Sequence, residues 1–277
     1  MSKRITTGPS PFIKWVGGKS GLLSQLTPLL PKDIKSRRYI EPFVGGGALF
    51  FHLQPTHALL CDINNSLVMV YHTVRDNVEK LIICLRELNK NHSTDHYYKI
   101  RALYNNHPSY LVEQSARFIY LNKTCFNGLY RVNKKSQFNV PAGRYKNPRI
   151  LDENLLRLDS QALQNTEIMC STFEYIVNEA REDDFIYFDP PYDPVSQTAN
   201  FTSYSSNGFS RNDQVILRDT FVKLDKVGCK LMLSNSNTAF IRDLYKNFNQ
   251  LSVYASRAIN CDKNKRGQVS ELVIRNY

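Results

Sequence analysis

The 277-residue chain has no apolar run long enough to cross a bilayer, no C-x-x-C pair among its six cysteines, and no signal-peptide core after Met1-Ser2-Lys3-Arg4. The first absence excludes a membrane helix. The second argues for reduced thiols rather than a zinc or disulfide framework. With the third, the sequence predicts a cytoplasmic protein. No metal is expected either. His92 and His96 stand four apart, but Ser93-Thr94-Asp95 between them lacks the glutamate of a zincin motif, so both read as surface histidines. Acidic residues are scarce: 25 Asp and Glu against 36 Lys and Arg leave a net charge of +11, which points to a polyanionic partner such as nucleic acid.

The scarcity is sharpest in residues 123–149, which contain no Asp or Glu at all. Seven basic residues (Lys123, Arg131, Lys134, Lys135, Arg144, Lys146, Arg149) alternate there with Phe126, Tyr130, Phe138 and Tyr145. Turn signals at Asn127-Gly128 and at Asn133 to Ser136 predict a hairpin or ribbon with a basic tip. A solvated basic face usually carries some acids; a wholly acid-free, aromatic-rich ribbon fits phosphate and base-edge contacts better.

What is present is an α/β pattern organised around Asp189-Pro190-Pro191-Tyr192. The run Phe185 to Phe188 before it reads as a buried strand, and two prolines end that strand by removing two backbone donors. A carboxylate, a carbonyl without a ladder partner and an aromatic ring then meet at a strand's C-terminal end, where open α/β sheets bind ligands. Such a site suits a planar ring bearing an NH2: Asp189 and the Pro190 carbonyl each accept one amino hydrogen while Tyr192 stacks on the ring.

Ahead of this strand, residues 1–11 read as a loose arm. In Phe12 to Ser20, the Gly17-Gly18-Lys19-Ser20 run invites a P-loop reading that fails, because Ile13 stands where that motif needs glycine. A helix should follow and end near Pro31. Arg38 to Gly47 reads as a strand and a turn of three glycines, which lets a ligand approach the backbone closely. The next strand, 58–61, ends at Asp62, placed to hold ribose hydroxyls, so the pair favours an adenosine-type ligand. From Ser66 to Leu121 the apolar spacing is helical. Further strands are expected at 167–170, 229–234, 251–259 and 271–277, a helix at 212–226, a polar lid at 193–209, and a basic hairpin tip at 260–267.

The order of these parts resembles the Dam-type DNA adenine-N6 methyltransferases, above all those of GATC-specific restriction-modification systems. The shared residues are Lys14 to Lys19, Glu41 to Gly47, Asp62-Ile63-Asn64, Asn127 to Arg131, Phe138 to Pro141, Gly143 to Lys146, Asp189 to Tyr192 and Ala199-Asn200-Phe201-Thr202. The resemblance implies a Rossmann-like α/β sheet (1–72 and 166–277) with an inserted, mainly helical target-recognition domain (73–165) that carries a β-hairpin.

It also implies S-adenosylmethionine as methyl donor, beside Trp15, Lys19, Phe43, Gly45, Gly47, Asp62, Ile63, Phe173 and Asp189. Catalysis would fall to Asp189, Pro190, Pro191 and Tyr192 acting on a flipped-out adenine. Contacts to double-stranded DNA would come from Lys14, Asn127, Leu129, Arg131, Pro141, Arg144 and Tyr145, with GATC the favoured site and the protein a monomer in solution. One position departs from the family pattern, which often has an acid where this chain has Thr172. Cytosine-N4 methylation uses the same acceptors, and Asp rather than Ser at position 189 favours adenine on the resemblance. A non-catalytic DNA-binding protein of the same fold would have no need of Asp189 or the glycines.

Overall fold

The computed structural model describes residues 8–194, 209–256 and 268–277. Its strands are β1 (Tyr39–Glu41), β2 (Ala58–Asp62), β3 (Thr166–Cys170), β4 (Phe185–Phe188), β5 (Lys230–Ser236), β6 (Asn249–Ser256) and β7 (Gln268–Arg275). Its helices are α1 (Leu23–Leu26), α2 (Ala48–Leu53), α3 (Asn65–Asp76), α4 (Val78–Lys90), α5 (Thr94–Asn106), α6 (Leu111–Thr124), α7 (Glu153–Leu163), α8 (Ile176–Glu179), α9 (Arg211–Val227) and α10 (Ala239–Leu244). The strands form one sheet in the order β3-β2-β1-β4-β5-β7-β6. The first five are parallel, and β7 runs antiparallel between β5 and β6.

The central strand runs at residues 58–61, 185–188 and 231–233 are apolar and buried throughout because both faces are covered. Tyr39, Ala58, Leu60, Phe185 and Tyr187 point to one face, against Leu49 to Phe51 of α2, Leu67, Val70, Tyr71 and Val74 of α3, and residues of α6 and α7. Their neighbours Ile40, Leu59, Cys61, Ile186 and Phe188 point to the other face, against Leu217, Phe221 and Leu224 of α9. The chain leaves β1 towards β2 and β3, then returns to β1's other flank as β4. This reversal leaves a crevice above the carboxyl ends of β1 and β4, the position where doubly wound sheets bind ligands.

Local chemistry sets the helix ends. Asn64 accepts from the Leu67 N–H to cap α3, and Ser210 with Asp213 forms a capping box on α9. Between β2 and β3 lie α3 to α7; beyond α3, Leu81, Ile82, Leu85, Ala116, Phe118, Ile119 and Leu156 join the same core as the sheet. A smaller core of Tyr97, Ile100, Tyr120, Leu121, Phe138, Val140 and Ile150 backs the basic ribbon.

Several expectations are corrected. The described end of the 1–11 arm is tied down, since the Ser10 N–H donates to Asp159 just ahead of the buried Phe12 and Ile13. The helix expected before Pro31 is broken into 3-10 turns around four-residue α1, with Pro28 in the last of them. His92 and His96 are not surface groups; both are half-buried with edge-on rings against Tyr120, and His92 Nδ1 lies 2.9 Å from the Tyr120 hydroxyl. The ribbon holds two isolated bridges, Cys125 to Ala142 and Val132 to Phe138, rather than a regular ladder. The lid segment 195–208, the 199–202 motif, the hairpin tip 260–267 and Cys261 lie outside the described residues.

Candidate active site

Asp189 leaves β4 at the crevice, and its side chain is 18% exposed. Lys19 comes to it from the turn before α1, its Nζ 2.7 Å from Asp189 Oδ1. That approach lies off the hydrogen-bonding direction, so buried Oδ1 keeps an ion pair without an aligned donor. The same ammonium donates to the Gly17 carbonyl at 2.6 Å and sits 4.8 Å from the Tyr192 ring centroid. Burial raises the Asp189 carboxyl above its ordinary value, and Lys19 pulls it back.

The rest of the motif is held from behind. The Tyr192 hydroxyl donates to Glu271 on β7 at 2.7 Å. Gln214 of α9 donates to the Pro191 carbonyl at 2.9 Å and accepts from Asn235 of β5 at 2.9 Å. Asn235 also accepts from the Asp193 N–H at 3.2 Å, while the Asp193 carboxylate takes Arg211 and Thr238. Among the described residues no donor reaches the Pro190 carbonyl. The turn therefore offers two acceptors, Asp189 and Pro190, beside one ring.

The glycine turn after β1 forms the adjoining wall. Gly45 (φ +48°) and Gly47 (φ +66°) are left-handed, a conformation costly for residues with a Cβ. A Cβ on Gly45 would stand 2.7 Å from the Trp15 ring, so the turn needs glycine for space as well. Trp15 stacks on Tyr130 at 5.6 Å, and the Tyr71 hydroxyl donates to the Gly45 carbonyl at 3.0 Å.

At the end of β2, Asp62 accepts from the Gly45 N–H at 3.1 Å and the Asn64 N–H at 2.9 Å. Burial pushes its carboxyl up to about 6 against those two bonds. Ile63 is exposed beside it, and Phe43 stacks on Phe173 at 5.3 Å. Of the residues the sequence grouped, Lys19 meets Asp189, Trp15 lies against Gly45, Asp62 accepts from the Gly45 N–H and Phe43 stacks on Phe173, all near the carboxyl ends of the parallel strands. Sequence reasoning passed over Glu41 as an individual group. Glu41 is buried under the crevice with the Tyr39 hydroxyl donating to it at 2.8 Å, and burial holds its carboxyl well above the carboxylate range. It missed Gln214, Asn235 and Glu271 as well, because they reach the motif from distant strands and helices and leave no local spacing signal.

The candidate DNA contacts form a second cluster, where Lys14 of the N-terminal segment meets Asn122 and Tyr145. Lys14 lies 4.2 Å above the Tyr145 ring, and its backbone is clasped by Asn122, whose side chain accepts from the Lys14 N–H and donates to the Lys14 and Gly128 carbonyls. Phe126, Asn127, Gly143, Arg144 and Tyr145 line a shallow cavity of about 210 Å³. Pro141 is exposed and its carbonyl accepts from the Phe126 N–H, while Leu129 is half-buried. Arg131 is exposed, with Nε donating to Asn139 at 2.7 Å, which aims the guanidinium along the ribbon.

A doubly wound sheet with a glycine turn at its switch point and an acceptor pocket one strand away has the Rossmann-like fold of a methyltransferase. Residues 15–259 match the family model of the D12 class N6 adenine-specific DNA methyltransferases. Among curated proteins, the type II methyltransferase M.MjaIII of Methanocaldococcus jannaschii is 46% identical, covering 96% of this chain and 99% of its own. M1.LlaDCHI of Lactococcus lactis subsp. cremoris is 44% identical over 96% of this chain and 95% of its own. The DNA adenine methylase of Vibrio cholerae is 36% identical over 95% and 94%. The chain belongs to the D12-class N6 adenine-specific DNA methyltransferases.

Proposed function

We propose that the chain moves a methyl group from S-adenosylmethionine to N6 of an adenine swung out of duplex DNA, within GATC. The observation that carries this reading is the pair of acceptors at Asp189 and Pro190 beside the Tyr192 ring, one strand away from the Gly45–Asp62 wall. The residues fit a donor of that kind. Gly45 and Gly47 hold a left-handed turn against which Trp15 and Tyr71 close directly, Asp62 ends the second strand with a carboxylate for ribose hydroxyls, and Trp15, Phe43, Ile63 and Phe173 supply apolar walls. When bound, S-adenosylmethionine supplies an electrophilic methyl on a positively charged sulfur.

The protein's part is positioning. Asp189 and the Pro190 carbonyl accept the two amino hydrogens of the base, which draws the nitrogen lone pair out of the ring and towards the donor. Tyr192 fixes the ring plane, and Glu271 fixes Tyr192. An adenine inside a stacked duplex cannot meet these groups, so the base must leave the helix. Holding the reacting atoms in line converts transfer into an intramolecular displacement.

Residues 73–165 would read the site. A guanidinium at Arg131 suits guanine O6 and N7, while Leu129 and Pro141 suit a thymine methyl. Lys14, Asn127, Arg144 and Tyr145 would complete the contact. The choice of GATC rests on the resemblance at residues 127–131, 138–141 and 143–146, while the relatives named DNA adenine methylases support adenine as the base.

DNA from cells expressing the protein is expected to resist endonucleases blocked by GATC methylation and to be cut by those that require it; unchanged digestion by both sinks the site assignment. In the same assay with purified duplexes, Arg131→Ala should lose about 1–3 kcal/mol of discrimination at one guanine. Donor affinity should also depend on pH. Asp62 accepts both hydroxyls as a carboxylate, so binding of S-adenosylhomocysteine should weaken about tenfold per unit as pH falls below about 6 and should level off above it. Asp62→Asn should remove this dependence in calorimetry.

A further inference from the structure

Lys19 stands where the proposed reaction has no use for a cation. Its residue is 4% exposed, and its ammonium touches Asp189 Oδ1, the Gly17 carbonyl and the Tyr192 ring face. A buried carboxylate without a countercharge is expensive, so Asp189 in an empty pocket needs such a partner. The demand changes when the donor is present. The sulfonium is itself a cation, and its methyl must come within about 3–3.5 Å of a nitrogen that Asp189 holds. Two cations that close in a site shielded from water repel strongly, and the attacking nitrogen gains positive charge as well. An ammonium left on Asp189 opposes donor binding, base capture and transfer together.

Lys19 has somewhere to go. The donor carries a carboxylate at its amino-acid end, and the lysine hangs on a flexible stem directly after Gly17-Gly18. Glu41 does not compete for it, since burial raises that carboxyl and the Tyr39 hydroxyl occupies it. We propose that Lys19 is a stand-in cation, holding Asp189 in the empty enzyme and moving to the donor's carboxylate when the sulfonium takes over as countercharge. Donor binding thereby clears the amine site, so donor and target base bind with positive coupling. The inference rests on the functional reading above and adds an order of events to it.

The test uses the full-length protein, a GATC duplex that keeps the target adenine, and sinefungin, which keeps the donor's carboxylate and carries a cationic amine where the sulfonium methyl would be. Duplex affinity by anisotropy and base extrusion by permanganate reactivity of the thymine paired with the target adenine are measured with and without sinefungin. In the native protein sinefungin should tighten duplex binding at least about fivefold and raise the thymine's reactivity. In Lys19→Met, which keeps the stem and loses the charge, that gain should fall below about twofold, with the base captured whether or not sinefungin is present. Asp189→Asn, which abolishes the ion pair from the other side, should lose the gain too. Lys19→Met retaining the native gain, or the native protein binding both ligands without coupling, overturns the stand-in role and leaves the functional reading untouched. Native protein that binds no sinefungin overturns both.

Discussion

Asp189→Ala is expected to lower methyl transfer by about 10³-fold while duplex affinity stays within about threefold of native. The two effects separate because they come from different places. Affinity for DNA is set mainly by cations meeting phosphates, and the exposed basic residues among 131–149 belong to the ribbon rather than to the Asp189 motif. Rate depends on an amine whose lone pair is delocalised until its hydrogens are held. Asp189 supplies the stronger of the two acceptors, and Pro190 remains with nothing to oppose it across the nitrogen. Asp189→Asn is the shape-matched control, keeping one acceptor oxygen but turning an N–H towards the amine, and it should lose nearly as much. Single-turnover methylation with a tritiated donor reads the rate, and anisotropy reads binding. Near-native turnover in the alanine variant would remove Asp189 from the reaction.

Gly45→Val should cost about 2–5 kcal/mol of stability, adding the left-handed backbone penalty to the overpacking of a Cβ 2.7 Å from the Trp15 ring. The melting temperature should fall by roughly 5–15 °C. Donor binding should fall further than stability, because relief of the clash pushes Trp15 off its stack on Tyr130 and into the space the donor would occupy. Gly45→Ala carries the same backbone strain with less bulk and should lie between. Scanning calorimetry with and without S-adenosylhomocysteine separates the two losses. A valine variant with native melting and native donor affinity would show that the turn is not tight.

The parts legible beforehand were those written in neighbouring residues. Phe185 to Phe188 followed by two prolines could only be a strand that stops, and β4 ends there. The helix expected at 212–226 is α9, bounded by the Ser210 box and Gly228 in the left-handed conformation. Asp62 sits at the last position of β2, as the glycine turn before it suggested. Less legible was the path of the C-terminal strands. A hairpin of β6 and β7 was foreseen, yet β7 rather than β6 pairs with β5, and no residue pattern within either strand says which one faces inward. The basic ribbon reads as a hairpin from its turns, but its prolines and side-chain bonds, such as Asn105 to both sides of Phe138, take the place of most ladder hydrogen bonds.

By itself the sequence determined the chemistry available: a carboxylate and a stiff carbonyl beside a ring, a glycine turn paired with an acid, and a ribbon stripped of negative charge. These are properties of residue type and short spacing, fixed before the chain folds. Only the tertiary structure decided which charge meets which. Lys19 reaches Asp189 across 170 positions of sequence because the β1–β4 reversal brings their loops to one crevice. Asn235, Gln214 and Glu271 take up their posts behind the motif for the same reason. Strand order sets those distances, and the hydrophobic pattern that drives the strands together leaves strand order unspecified.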